Sequence, residues 1–394
     1  MNSLELFVGA GGMAMGITNA GYEHKAVVEW DKNACNTIRY NKERLNRVVS
    51  KWPLFETDVR NFDFANFEDS IDLLAGGPPC QPFSLGGKHL GLNDGRNMFP
   101  EMIRAIREIR PKVVFIENVK GLLRKSFNSY FEYILLQINY PDVIQRDGES
   151  WYEHLSRLEE YHTSGKQDGL CYRTVFRLVN AADYGIPQRR ERVLIVAFRR
   201  DLNVNWSFPN PTHSQDALIW SQWVTGDYWE INEVSTSQRP ELTPKIKSKI
   251  NKLYKNGFPL ELPWRTIRET ILDLPDPETN LDNRLIHNHE YRPGARIYSG
   301  HTGSPIDEPA KTLKAGDHGV PGGENMLVHV DGRVRYFTIR ESARLQTFPD
   351  DYIFQGSWTE SMRQLGNAVP VRLAEMISNS IKAHLKTPVC TATH

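Results

Sequence analysis

Chemistry in this chain can start from a cysteine. Cys80 lies in Gly76-Gly77-Pro78-Pro79-Cys80-Gln81-Pro82-Phe83-Ser84, after an apolar run from Ile71 to Ala75. The run reads as a short buried strand, and the prolines and glycines forbid helix or strand from continuing. Cys80 is therefore expected on a stiff loop just past a strand's carboxyl end, the edge where open parallel α/β sheets bind ligands. A lone cysteine is more often a small buried hydrophobe; a thiol held on such a loop is instead placed to act as a nucleophile.

Glu117 is the second candidate. It follows Val113-Val114-Phe115-Ile116, four apolar β-formers, so it falls at a strand end on the same sheet edge, with Asn118 and Val119 after it. A carboxyl there can hand a proton to a reacting base. A third group, Tyr184-Gly185-Ile186-Pro187-Gln188-Arg189-Arg190-Glu191-Arg192, lies between two apolar runs. It reads either as an exposed charged hairpin or as a loop whose guanidiniums hold phosphate or a base carbonyl.

The glycines come first in the chain. A strand from Ser3 to Val8 runs into Gly9-Ala10-Gly11-Gly12 and a helix from about Met13 to Asn19. Gly9-x-Gly11-x-x-Ala14 fits the loose dinucleotide fingerprint, and Glu29 stands 20 positions past Gly9, where such folds put a carboxylate on a ribose hydroxyl. An adenosine-type ligand is the reading. On this pattern alone a nicotinamide-dependent dehydrogenase and a user of S-adenosylmethionine are both open. Asp58, at the end of a third strand, is placed to meet the adenine.

These groups need a scaffold. Met98 to Arg110 has helical apolar spacing, and Pro111 ends it. Lys88 to Asn97, rich in Gly, Asn and charge, reads as a loop able to close over a substrate. Residues 126–170 look like an irregular, partly helical insertion. Strands Arg173 to Val179 and Arg192 to Phe198 follow. Residues 201–334 lose the βα alternation and read as a smaller domain of loops, with a basic helix carrying Lys245, Lys247, Lys249, Lys252 and Lys255. That helix is either simply solvated or tracks a phosphate backbone. A last amphipathic helix, Val371 to Leu385, packs on something, with the first domain the expected place. The domains are thus 1–200, 201–334 and a returning segment 335–394.

Composition excludes little. The 48 basic and 48 acidic residues of this 394-residue chain cancel, so a nucleic-acid partner would require a local positive face. No run of about 18 apolar residues and no signal peptide is seen, which argues against a membrane role. Cys35, Cys80, Cys171 and Cys390 show no metal-ligand spacing, so no metal and a reducing cytosol are expected.

Taken in order, these motifs resemble those of the DNA (cytosine-5) methyltransferases. Leu6 to Gly12, Glu29-Trp30-Asp31 and Asp58-Val59 are similar to the family's cofactor segments, Pro79-Cys80-Gln81 to its nucleophile motif, Glu117-Asn118-Val119 to its acid motif, and Gln188 to Arg192 to its arginine motif. Arg340 to Arg344 and Gly366-Asn367-Ala368-Val369-Pro370 resemble its last two. The resemblance covers about 1–125, 172–200 and 335–385; it departs in the 126–170 insertion and in having no helix before the first strand.

The resemblance implies an α/β, Rossmann-like S-adenosylmethionine-dependent methyltransferase domain with a smaller, irregular target-recognition domain. It implies that cytosine is flipped out of double-stranded DNA, that Cys80 adds to carbon 6 while Glu117 serves ring nitrogen 3, that Arg190 holds the base carbonyl, and that Arg192 orients Glu117 or the backbone. Cofactor contacts then fall on Phe7, Gly9, Ala10, Gly11, Gly12, Glu29, Trp30, Asp58, Val59, Pro78, Asn367 and Val369. DNA contacts fall on Gln81, Ser84, Lys88, Arg96, Asn97, Arg296, Tyr298, Thr312 and Leu313. A monomeric, cytoplasmic, nucleoid-associated enzyme is expected, sharing its site with a cognate restriction endonuclease. A transfer-RNA methyltransferase of the same family is the neighbouring alternative, disfavoured by the long 201–334 region.

Overall fold

The computed structural model describes residues 1–79, 97–165, 168–279, 286–315 and 325–386. Cys80, Gln81, Ser84, Lys88 and Arg96, and the expected closing loop apart from Asn97, lie outside those residues. The first half builds a βα sheet: β1 (Asn2–Leu6), α1 (Gly12–Asn19), β2 (Glu23–Glu29), α2 (Lys32–Glu43), β3 (Leu54–Glu56), β4 (Leu73–Gly76), α3 (Phe99–Ile109) and β5 (Val113–Val119). Two helices follow, α4 (Asn128–Asn139) and α5 (Trp151–Thr163), then β6 (Tyr172–Asn180), a two-residue β7 (Gln188–Arg189) and β8 (Glu191–Arg199).

Seven strands form one sheet in the order β3-β2-β1-β4-β5-β8-β6. β1 to β5 pair in parallel, and β8 runs antiparallel to both β5 and β6. The central strands are buried on both faces, which is why Leu73 to Ala75 and Val113 to Ile116 read as unbroken apolar runs rather than alternating ones. The strand order reverses between β1 and β4, and there the helices following the strands part to opposite faces and leave a crevice at the carboxyl ends. Because β6 and β8 are antiparallel, their connection (residues 181–190) also falls on that edge.

Residues 126–170 differ from the expected irregular insertion. Ile134 and Ile138 of α4, with Leu155 and Leu158 of α5, complete the same core as β1, β4 and α3. Ser150 and Glu153 form a reciprocal capping box that starts α5. The aromatic residues interleaved there pack into the fold instead of marking a loop, Tyr130 edge-on to Trp151 and Tyr133 tilted against it.

The 201–334 region is also more ordered than a domain of loops. It contains β9 (His213–Ser214), α6 (Gln215–Trp220), α7 (Asp227–Ile231), α8 (Pro244–Asn256), β10 (Leu262–Pro263), α9 (Ile267–Ile271), β11 (Ser304–Pro305), β12 (Ala310–Lys311) and β13 (Met326–Val328). Leu218, Tyr228, Trp229, Val234 and Trp264 make a small core together with Ala182 of the β6–β8 connection. Beneath it Asp307 accepts from Tyr228 Oη at 2.9 Å and from Arg268 Nε at 2.6 Å. Its later part instead joins the core of the returning segment, which comprises β14 (Val334–Tyr336), α10 (Ile339–Leu345), α11 (Trp358–Asn367) and α12 (Val371–Lys386): Ile267, Ala310, Leu313 and Leu327 pack with Phe337 and Leu345. α12 lies along α1, so closely that a methyl group on Gly16 would meet the Val371 carbonyl and Ala374.

Candidate active site

The chain leaves β1 through Phe7, which takes a left-handed φ of 57°, and Gly9 and Gly11 follow at 55° and 88°. Gly11 tolerates no side chain, because a Cβ would lie 2.7 Å from the Trp52 ring. At Gly9 a Cβ would meet nothing within 4 Å, so the loop's backbone faces open space there. Glu29 ends β2 directly opposite. Its Oε2 accepts from Gly9 N at 2.7 Å, and its Oε1 from Trp30 N at 2.9 Å and Asp31 N at 2.8 Å. Burial nevertheless raises this carboxyl's pKa, because it outweighs the three amides that favour the ion.

Trp30 beside it is 66% exposed, against the rule that an indole of this size is largely covered. A buried acid next to a bare aromatic face suits a ribose hydroxyl and an adenine. Asp58 caps the turn at Val59 and is gripped by the Arg60 guanidinium, with Nε at 2.9 Å from Oδ1, which holds its pKa below the usual range. Asn367 is exposed at the end of α11 and Val369 is buried just beyond. Ala10, Gly12 and Val59 back the cradle rather than line it. Ala10 and Val59 are buried, Tyr352 Oη donates to Ala10 O at 2.7 Å, and a Cβ on Gly12 would run into Val369 O.

On the other side of the crevice, Glu117 is nearly buried near the end of β5. Arg192, the second residue of β8, lies opposite Val119, and residues two apart on a strand share a face. Arg192 is therefore diagonal to Glu117, within reach of a long side chain, and its Nε lies 2.8 Å from Glu117 Oε1. Burial lowers the pKa of this arginine, with Glu117 working against it. The strand leading to the cysteine ends beside the same carboxyl: a Cβ on Gly77 would lie 3.4 Å from Glu117 Oε2. Asn118 Nδ2 donates to Pro78 O at 3.0 Å, tying the start of the cysteine loop to β5.

Arg190 departs from the expected role at a base carbonyl. It is 1% exposed and donates to Gly366 O at 2.9 Å and to Leu313 O at 3.4 Å, joining three segments from inside the fold. Leu313 departs too. It is buried, and its amide donates to Gln188 Oε1 at 3.0 Å, so it cannot read DNA. Thr312 donates from Oγ1 to Arg189 O at 2.8 Å in the same weld, where β12 pairs with β7. Their spacing resembled a reading segment because the strand pairing that needs it is long-range. Arg296 and Tyr298 do lie exposed, with the Tyr298 ring stacked 4.3 Å from His301. Asn97 donates to Tyr130 Oη at 2.6 Å.

Sequence reasoning missed Arg363. It bridges Asp31 Oδ2 at 2.8 Å and Glu360 Oε2 at 2.7 Å, and Asp31 caps α2 through Ala34 N at 2.9 Å. The acid before a helical run was the available signal. The thiols of Cys35 and Cys171 offer no rival nucleophile: both are buried, and burial pushes Cys35 up to about 12. Among the described residues no cluster of His, Cys, Asp or Glu could hold a metal, and no helix is long and apolar enough to cross a membrane.

A crevice at a parallel sheet's switch point, with an adenosine-type cradle on one side and an acid–arginine pair on the other, defines a nucleotide-cofactor enzyme. The chain matches the C-5 cytosine-specific DNA methylase family over residues 1–140 and 152–383, and it belongs to that family. It is 33% identical over 387 residues to the type II methyltransferase M.PspPI of Psychrobacter sp., spanning 96% of this chain and 78% of that one. To M.NgoMIV of Neisseria gonorrhoeae it is 31% identical over 393 residues, 98% of each. Among solved structures, a DNMT2 variant from Spodoptera frugiperda aligns with TM-score 0.57 and 17% identity over 97% of this chain and 99% of that one. S. pombe Dnmt2 methyltransferase aligns with 0.54 and 17% over 98% and 100%. At those identities the likeness concerns the fold. The internal gap in the family match, the 11 residues 141–151, is far shorter than the insertion expected from sequence.

Proposed function

We propose that this DNA (cytosine-5) methyltransferase is the modification half of a restriction–modification pair, uses S-adenosylmethionine, and acts as a monomer on a cytosine flipped out of double-stranded DNA. Carbon 5 of cytosine is too weak a nucleophile to be methylated directly. Addition of the Cys80 thiolate to carbon 6 makes carbon 5 enamine-like, and the charge pushed into the ring is relieved by a proton from Glu117 at nitrogen 3. Arg192, in contact with that carboxyl, is the better candidate than Arg190 for the base carbonyl and for fixing Glu117. Bound S-adenosylmethionine supplies an electrophilic methyl group. Carbon 5 takes it, the electrons of the sulfur–methyl bond staying on sulfur. A base then removes the carbon-5 proton, that electron pair forms the 5,6 double bond and expels the cysteine as thiolate, and the nitrogen-3 proton returns to Glu117.

Phe7, Gly9, Gly11, Glu29, Trp30, Asp58, Pro78 and Asn367 are the residues proposed to hold the cofactor, with Glu29 on ribose hydroxyls and Trp30 on the purine. Gln81, Ser84, Lys88, Arg96, Asn97, Arg296 and Tyr298 are proposed on the DNA side. The observation that carries the reading is the Arg192–Glu117 contact beside Gly77, across the crevice from Glu29. A cognate endonuclease is inferred from the type II relatives, and a cytoplasmic, nucleoid-associated location from the substrate. Bisulfite sequencing of host DNA after expression tests the whole: methylated cytosines in one sequence context are expected, and none with Cys80→Ser. Methyl transfer to transfer RNA with no mark on DNA would overturn it.

A further inference from the structure

α8 is the one strongly charged helix that the catalytic reading leaves unused. Its 13 residues carry Lys245, Lys247, Lys249, Lys252 and Lys255 and no acid, in a chain whose charges cancel overall. Thr243 caps its start through Ile246 N. Leu253 is buried and Ile246 and Ile250 half-buried, so the apolar side faces α6, where Tyr254 meets the Trp220 ring at 5.6 Å. Lys249 Nζ is held by Gln215 Oε1 at 2.5 Å. Lys245, Lys247, Lys252 and Lys255 are exposed, and among the described residues none of the four forms an ion pair with a carboxylate. A lysine face in a neutral protein would normally find acids three or four residues away; here the helix has none.

Its placement follows from the β6–β8 connection. Asp183 in that connection accepts from Thr212 N at 2.9 Å and, through Oδ1, from Trp264 Nε1 at 3.0 Å. Ser214 then caps α6, on which α8 rests. This ties α8, through α6, to the connection at the sheet edge that carries Glu117 and Arg192. At about 1.5 Å per residue the four lysines span roughly 15 Å. That length of duplex carries about four phosphates on one strand.

We propose that the exposed lysine face of α8 grips the phosphate backbone of duplex DNA flanking the methylated site, adding affinity without reading sequence; this rests on the DNA methyltransferase reading above. The test is a variant with Lys245, Lys247, Lys252 and Lys255 all changed to Gln, leaving the Gln215-bound Lys249. DNA affinity is measured against salt on two duplexes carrying the site, one trimmed to it and one extended by about one helical turn, roughly 10 bp, on each side.

Every phosphate that a lysine no longer neutralises lowers the log–log salt slope by about 0.9, so the variant on the extended duplex should show a slope smaller by about 3–4. On the trimmed duplex the variant should bind and methylate like the wild type. Equal slopes for variant and wild type on the extended duplex overturn the proposal. So does an equal weakening on both duplexes, which would put α8 over the site itself. A wild-type protein that methylates neither duplex would instead remove the catalytic reading, whatever the slopes.

Discussion

Arg192 Nε stands 2.8 Å from Glu117 Oε1, and the contact is set by strand register: Arg192 in β8 pairs with Val119, two residues beyond Glu117 on the same face. A guanidinium on one carboxyl oxygen leaves the other, beside Gly77, directed at the crevice. Glu117→Gln should therefore retain the fold but slow addition to the base by about 10²–10⁴-fold, the usual worth of a positioned acid. Covalent trapping on 5-fluorocytosine DNA reads this directly, and trapping at the wild-type rate would refute the role.

Arg190 makes the opposite prediction. Its guanidinium serves Leu313 O and Gly366 O from within the core. Arg190→Met should cost roughly 2–4 kcal/mol of stability, since two buried carbonyls lose donors. A urea titration should show the midpoint fall. Should the variant keep full stability and lose only turnover, Arg190 belongs at the base after all.

Trp30 and Arg363 separate contact from support on the cofactor side. The bare indole of Trp30 should contribute about 1–3 kcal/mol by stacking on adenine, so Trp30→Ala weakens S-adenosylmethionine binding about 5- to 150-fold with an unchanged melting temperature. Isothermal titration measures it; an unchanged Kd removes Trp30 from the cradle.

Arg363 touches Asp31, the cap that follows Trp30, and ties it to α11 on the opposite wall. Burial works against Asp31's charge, but the Ala34 amide and Arg363 outweigh it and hold its pKa below the usual range. A half-exposed bridge is worth about 0–1 kcal/mol. Arg363→Ala should then raise KM for the cofactor by about 2- to 5-fold at constant kcat, and Arg363→Lys should restore most of it. A fall in kcat with KM unmoved would contradict this.

His24 sets an acid limit. Its Nε2 faces Ala14 O at 2.9 Å and its Nδ1 faces Ser3 Oγ at 3.1 Å, with the Trp52 ring edge-on beside it. Burial lowers its pKa to about 4, so the folded protein keeps the ring neutral where the unfolded chain would protonate it. Between about pH 6.5 and 4 the unfolded state binds the extra proton, and stability drains as pH falls, on the order of 3 kcal/mol in all. Chemical denaturation across that window should show the loss, and His24→Gln should flatten it. An identical pH profile in the variant would assign the acid limit elsewhere.

The sheet and the cradle were legible because their signals are local. Apolar runs end in glycines or acids at each strand's carboxyl edge, and Glu29 falls at the distance from Gly9 that a βαβ unit dictates. Arg190 and Leu313 were misread because their partners, Gly366 and Gln188, lie more than a hundred residues away and no spacing encodes them. Arg363 was missed for the same reason: its tie to Asp31 spans 332 positions. In 126–170 the helices were expected only in part, because Tyr130, Tyr133 and Trp151 interrupt the apolar spacing that marks α4 and α5.

The packing of α12 on α1, with no room at Gly16 for even a methyl group, has a consequence for synthesis. Helix α1 leaves the ribosome hundreds of residues before α12, whose surface buries Ile17 and Ala20. Until then the glycine loop rests on an uncovered helix and lacks Val369 behind Gly12. A nascent or prematurely stopped chain should accordingly be unable to mark DNA, and it should be a substrate for chaperones and proteases rather than a partly working enzyme.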